Sequence, residues 1–164
     1  MIDEELRAAA RRVLDACRSR NLKLAVAESC TGGLVAATLT EIPGSSDVLD
    51  RGFVTYSDAA KQAMLGVSTS ILESSGAVSR ESAEAMAAGA LERSGADLAA
   101  AVTGVAGPGG GTPAKPVGLV HFAAARRDGR ATHREHRYGD LGRAEIRRRS
   151  VLEALAMLEE LAAS

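Results

Sequence analysis

The sequence predicts a three-layer α/β/α sandwich built on a mixed, mostly parallel sheet. Two short apolar runs, LKLAVAE (22–28) and DLAAAVTGV (97–105), have the length and composition of buried strands. They alternate with longer stretches whose apolar residues recur at helical spacing. One further pair of strand-like segments, 117–127 and 130–138, is joined only by Asp128-Gly129, a hairpin signal that demands an antiparallel pairing.

Taken in order, residues 2–19 set Ile2, Leu6, Ala9, Ala10, Val13, Leu14 and Cys17 on one helical face, and Asn21 supplies a stop. The strand 22–28 then runs into SCTGG. LVAATLTEI (34–42) reads as a helix ended by Pro43-Gly44. VLDRGFVTY (48–56) carries the β-branched and aromatic residues of a second strand. SDAAKQAML (57–65) has Ser57 to cap a helix and Gly66 to end it. A long Ala-rich helix is expected over 79–94. The strand 97–105 leads into AGPGGGTPAKP (106–116), too rich in glycine and proline for anything but a loop. After the hairpin, AEIRRRSVLEALAMLEELAA (144–163) is a strongly periodic helix. No repeat or linker interrupts the pattern, so one domain over 1–164 is expected.

Composition removes several function classes. With 20 Lys and Arg against 21 Asp and Glu, the formal charge is −1, so this is no generally basic nucleic-acid binder. Aromatics make up 2% and Trp is absent, which leaves almost no platform for base stacking. Ten basic against four acidic residues over 115–150 form a local basic excess, read mainly as a solvated helix face. No nucleic-acid partner is expected. Cys17 and Cys30 cannot build a disulfide framework. Neither a CxxC pair nor an HExxH motif appears, so no metal site is expected. The segment MIDEELRAAARRVL lacks a secretory core, and no apolar run has the length of a membrane helix. A cytoplasmic protein with no membrane contact is the resulting expectation. The Ala-rich helices suit packing between copies, so a homo-oligomer is expected.

Two loops stand out because both follow buried strands, where open α/β sheets bind ligands. In AESCTGG (27–33), Ser29 sits where a strand passes into a helix. Gly32 and Gly33 would let a substrate approach the backbone. The N–H groups of Cys30, Thr31, Gly32 and Gly33 could hold an oxyanion beside a nucleophilic serine. A plainer role is also open: Ser29 or Thr31 capping the following helix. The second loop, TGVAGPGGG (103–111), could cradle an anion, although it is neither a P-loop nor a dinucleotide fingerprint. A serine nucleophile needs a base. His133 and His136, three apart on a strand, face opposite ways, and His121 lies in an apolar strand. Lys61 is the sole cation within 53–66, among Phe53, Val54, Ala59, Ala60, Ala63, Met64 and Leu65. Desolvated there, its amine would accept the serine proton. Left in solvent, it would be an ordinary surface lysine.

The strings AESCTGGLVA, GFVTYSDAAKQAMLGV, GAVSRESAEAMAAGA and TGVAGPGGGTPAKPVGLV, with the later Gly142-Arg143 and AEIR, together resemble the CinA C-terminal domain family, the nicotinamide-nucleotide amidases or NMN deamidases. The resemblance covers about residues 3–162. It implies hydrolysis of the carboxamide of nicotinamide mononucleotide (NMN), a small nucleotide substrate, to nicotinate mononucleotide and ammonia. It also implies a three-layer α/β/α fold and no cofactor. The family pattern assigns Ser29 as nucleophile and Lys61 as its basic partner, with Tyr56 close by; Lys61 or Tyr56 would return the proton to the leaving ammonia. Thr103 and an arginine near the last helix would line the pocket. The chain departs from the family here. GDLGR (139–143) replaces a shorter GDR, so Arg143 and Arg147 are both candidates. Phosphate would fall to Gly107, Gly109 and Gly110 with one of those arginines. Two other readings stay open: Cys30 as nucleophile with Glu28 and Lys61, and a catalytically silent nucleotide-binding or interaction module of the same fold.

Overall fold

The computed structural model describes residues 2–164. Its sheet has five strands in the order β2-β1-β3-β4-β5: β1 (Leu24–Glu28), β2 (Leu49–Val54), β3 (Leu98–Gly104), β4 (Leu119–Arg126) and β5 (Ala131–Arg137). β1 pairs in parallel with β2 and with β3, while β4 runs antiparallel to both β3 and β5. Only β4 is therefore reversed, which is the mixed sheet that the hairpin required.

Side-chain alternation on the central strands sorts the helices into two unlike layers. Leu24 and Val26 on β1, Leu98, Ala100 and Val102 on β3, and Val120 and Phe122 on β4 face one way. They pack against α1 (Glu4–Arg18), α2 (Leu34–Thr40) and α6 (Arg143–Ala163). The opposite face of the same strands is Ala25, Ala27, Ala99, Ala101 and Ala123. Such a shallow surface needs a helix that can come close. α5 (Arg80–Glu92) fits, presenting Ala83, Met86, Ala87 and Ala90.

Most element ends follow local chemistry. Asp3, Ser57 and Ser79 cap α1, α3 (Asp58–Leu65) and α5 by accepting bonds from backbone amides. Asn21 takes the left-handed conformation (φ 54°) that a helix stop demands, as does Gly66 after α3. Two features were not anticipated: a single 3-10 turn over Ser45–Asp47, and α4 (Thr69–Ser74), capped by Ser68. α2 ends at Thr40, two residues short of the expected span.

The carboxyl ends of β1, β2 and β3 open on one edge of the sheet. The chain leaves β1 toward β2 on one flank and returns to β3 on the other. This divergence is where α/β sheets form crevices. No helix among the described residues is long and apolar enough to cross a membrane.

The close approach of α5 sets a strict size limit at Gly89, where an added Cβ would sit 1.9 Å from the carbonyl oxygen of Leu65 at the end of α3. Gly89→Ala is expected to destabilise the fold by about 3 kcal/mol, against the usual small gain for Gly→Ala in a helix. Denaturant unfolding midpoints of the two proteins check this.

Candidate active site

Three chain segments meet at the carboxyl ends of the parallel strands. β1 delivers Ser29, β2 runs out through Thr55 and Tyr56 into α3 with Lys61, and β3 ends at Thr103 and Gly104. The resulting cleft has a volume of about 300 Å³. Ser29, Cys30, Tyr56, Asp58, Lys61, Thr103 and Arg143 line it, with the backbone of Gly107, Gly109 and Gly110.

Lys61 lies at its floor. One turn into α3, the side chain points inward and is 1% exposed, so the solvated-surface reading is excluded. Its Nζ is 3.0 Å from Ser29 Oγ and donates to the carbonyl of Thr55 at 2.8 Å. Burial pushes the amine below the usual lysine range, while the charge of Asp58 and the sulfur of Cys30 oppose this. The elements therefore bring together a hydroxyl and an amine poised to lose its proton.

The SCTGG turn differs from the expectation in one respect. Neither Ser29 nor Thr31 caps α2. The cap comes from Glu28, whose carboxylate accepts bonds from the amides of Gly33 at 3.1 Å, Val35 at 3.0 Å and Ala36 at 2.9 Å. Glu28 is 1% exposed, and the positive end of α2 compensates its charge. The Glu28 carboxylate is committed to the turn and does not line the cleft, which weighs against a general-base role for it beside Cys30. Ser29 is free of capping duty, with its amide bonded to the carbonyl of Val102 across the β1–β3 pair.

The same contacts narrow the candidate oxyanion donors. Gly33 gives its N–H to Glu28 and Gly32 gives its own to the carbonyl of Ser29. Thr31 is fully buried, and it, Gly32 and Gly33 do not line the cleft. Of the four residues proposed, the geometry brings only Cys30 to the cavity. Burial pushes the Cys30 thiol up to about 12, the reverse of an activated thiolate.

The arginine ambiguity also resolves. Arg143, at the first turn of α6, reaches the cleft, donating to the carbonyl of Gly107 at 2.8 Å and to Tyr56 Oη at 2.7 Å. Arg147 lies outside it and supports the SCTGG turn from behind, donating to the carbonyl of Thr31 at 2.9 Å. Thr103 Oγ1 donates to the carbonyl of Ala77 at 2.8 Å, holding the segment that brings Ala77 and Val78 to the wall.

The remaining basic residues of 115–150 are largely neutralised locally. Arg134 pairs with Glu153 and Glu160, Arg148 with Asp3 and Glu5, and Arg130 with Asp128. His121 Nδ1 and His133 Nε2 stand 3.0 Å apart under α5, away from the serine. His136 lies on the other face against Phe122 and Tyr138, as the strand alternation required. Two residues at the site were not singled out from the sequence for these roles. Asp58 enters the cleft wall, and Glu28 clamps the turn. A carboxylate immediately before a Gly-rich turn is a weak signal, legible only once α2 is seen to lack a capping side chain of its own.

The profile of the CinA C-terminal domain matches residues 6–162. A CinA-like protein of Synechococcus sp. is 56% identical over 147 residues, covering 89% of this chain and 35% of that protein. The chain thus spans about a third of the length of the curated relatives it matches. Among solved structures, the competence/damage inducible protein CihA from Agrobacterium tumefaciens is 55% identical, with a TM-score of 0.97 and 98% of each chain covered. A CinA superfamily protein from Klebsiella pneumoniae is 36% identical, with a TM-score of 0.91, covering 96% of this chain and 98% of its own.

Because Glu28 satisfies three amides in a buried setting, Glu28→Gln replaces an acceptor with a donor facing N–H groups. A loss of about 2 kcal/mol or more is expected in chemical unfolding, since bonds to a charged partner are the stronger kind.

Proposed function

The chain belongs to the CinA C-terminal domain family, and from that premise we propose that it is an amidohydrolase converting NMN to nicotinate mononucleotide and ammonia through a Ser–Lys acyl-enzyme. The observation that carries this reading is the 3.0 Å approach of Lys61 Nζ to Ser29 Oγ at the floor of the cleft.

The free amine of Lys61 takes the proton of Ser29 as Oγ bonds to the carboxamide carbon. The backbone N–H of Cys30, at the start of the turn, is the donor available to the oxyanion; such a donor contributes roughly 3–4 kcal/mol. Collapse breaks the C–N bond while the Lys61 ammonium returns the proton, and ammonia leaves. Tyr56, 59% exposed and already accepting a bond from Arg143, serves the cleft wall instead. Water then gives its proton to Lys61 and attacks the ester. The C–Oγ bond breaks, Ser29 regains its proton, and the acid departs. No step calls for a metal or an organic cofactor.

Burial shifts the amine toward its uncharged form, which lessens the cost of deprotonating it before the reaction begins. The nucleotide phosphate is assigned to Arg143 and the glycine backbone of 107–110, which share the cleft with the serine.

Ammonia release from NMN, nicotinamide and nicotinamide riboside tests the reading. Ser29→Ala and Lys61→Ala should each lower kcat on NMN by about a thousandfold or more, whereas Cys30→Ala should retain turnover within about tenfold. A wild-type protein that binds NMN and releases no ammonia would instead be a silent binding module.

The pH dependence has a definite sign. Lysine is a base only above its pKa, and burial has lowered that pKa. kcat/KM should therefore rise with pH through one ionisation lying below the ~10.4 of free lysine, and fall as pH drops beneath it. A rate profile on NMN, fitted for its acid limb, checks this.

A further inference from the structure

Resting on the amidase reading, we propose that Asp58 is the residue that selects amide over acid, expelling the carboxylate product from the cleft. Among the described residues, Asp58 is the only acidic side chain on the cleft wall, which it shares with Ser29 and Lys61. It makes no side-chain hydrogen bond or ion pair among the described residues, although ion pairs are common elsewhere among them. Its helix does not need the carboxylate, because Ser57 already supplies the cap.

The chemistry of a Ser–Lys amidase creates a hazard that such a group removes. The substrate carboxamide is neutral at the reacting end, while the product there is an anion. A new carboxylate formed beside Lys61 would draw a proton onto the amine and pair with it, trapping product and disabling the base. A fixed negative charge in the same cavity works against this. Asp58 is itself exposed at the cleft wall, and it repels the product by a Coulomb interaction that solvent moderates, yet leaves the neutral amide undisturbed. The amide N–H groups can also donate to a carboxylate, which the acid cannot do. Asp58 lies close enough to Lys61 for its charge to oppose the effect of burial on that amine. The site thus tolerates a smaller fraction of uncharged amine, the expected cost of keeping an anion near the base.

Asp58→Asn keeps the size of the side chain and a residue suited to the start of a helix. In this variant, inhibition of NMN turnover by added nicotinate mononucleotide should tighten by about tenfold, while KM for NMN stays within about threefold. The acid limb of the pH–rate profile should move to lower pH, because an anion that favoured the lysine ammonium is gone. Asp58→Glu should restore most of the wild-type discrimination. Equal product inhibition in wild type and Asp58→Asn, or a uniform fall in kcat with the product-to-substrate ratio unchanged, would overturn the proposal and leave the amidase reading standing. A wild-type protein that releases no ammonia from NMN would overturn both.

Discussion

A lysine amine sealed beneath the surface, with only a serine hydroxyl and one main-chain carbonyl for company, is the constraint around which the rest of the molecule is arranged. Burying such a group without an anionic partner is unfavourable, and proteins meet that by letting the proton go. Here the nearest carboxylate, Asp58, stands on the cleft wall and makes no ion pair with the lysine. Burial therefore shifts the amine toward its uncharged form, the direction that the proposed general base requires.

Holding that arrangement falls to main-chain connections more than to side chains. The carbonyl of Glu28 accepts the amide of Thr55 at 2.8 Å, extending the β1–β2 ladder by one step, and the carbonyl of Thr55 in turn accepts from Lys61. The carboxylate of Glu28 fastens the turn that follows Ser29 to α2. One residue therefore registers both halves of the dyad, through its backbone toward the lysine and its side chain toward the serine. Arg147 supports the same turn from behind through the carbonyl of Thr31. Rigid positioning of this kind is what converts an encounter of two groups into an effectively intramolecular step.

Much of this could be read from residue order, and the exceptions have physical causes. The capping serines, the left-handed stop at Asn21 and the hairpin are local signals, set within a few residues, and each appears where the chain chemistry puts it. The Ser29–Lys61 pair was legible as a serine at a strand end and a lone cation in an apolar helix, but their contact spans 32 positions and depends on β1 and β2 being neighbours. The cap of α2 was misread because Ser29 and Thr31 carry the favoured side chains, whereas the backbone places Glu28 within reach of three amides. Arg143 and Arg147 lie one helical turn apart on the same helix. Only the tertiary packing separates one that faces the cleft from one that lies behind it. α4 is too short, at six residues, to leave a periodic trace.

The alanine face beneath α5 has a consequence for how this molecule can vary. Alanines offer little to truncate, so deletion of side-chain atoms there opens only small voids. Enlargement is another matter, since the sheet and helix are already at contact and a bulkier residue must pry two layers apart. Sequence drift in this layer should thus be lopsided: exchanges among the smallest side chains pass quietly, while additions are purged. The opposite layer, built of Leu, Val and Phe, can trade one shape for another at similar volume.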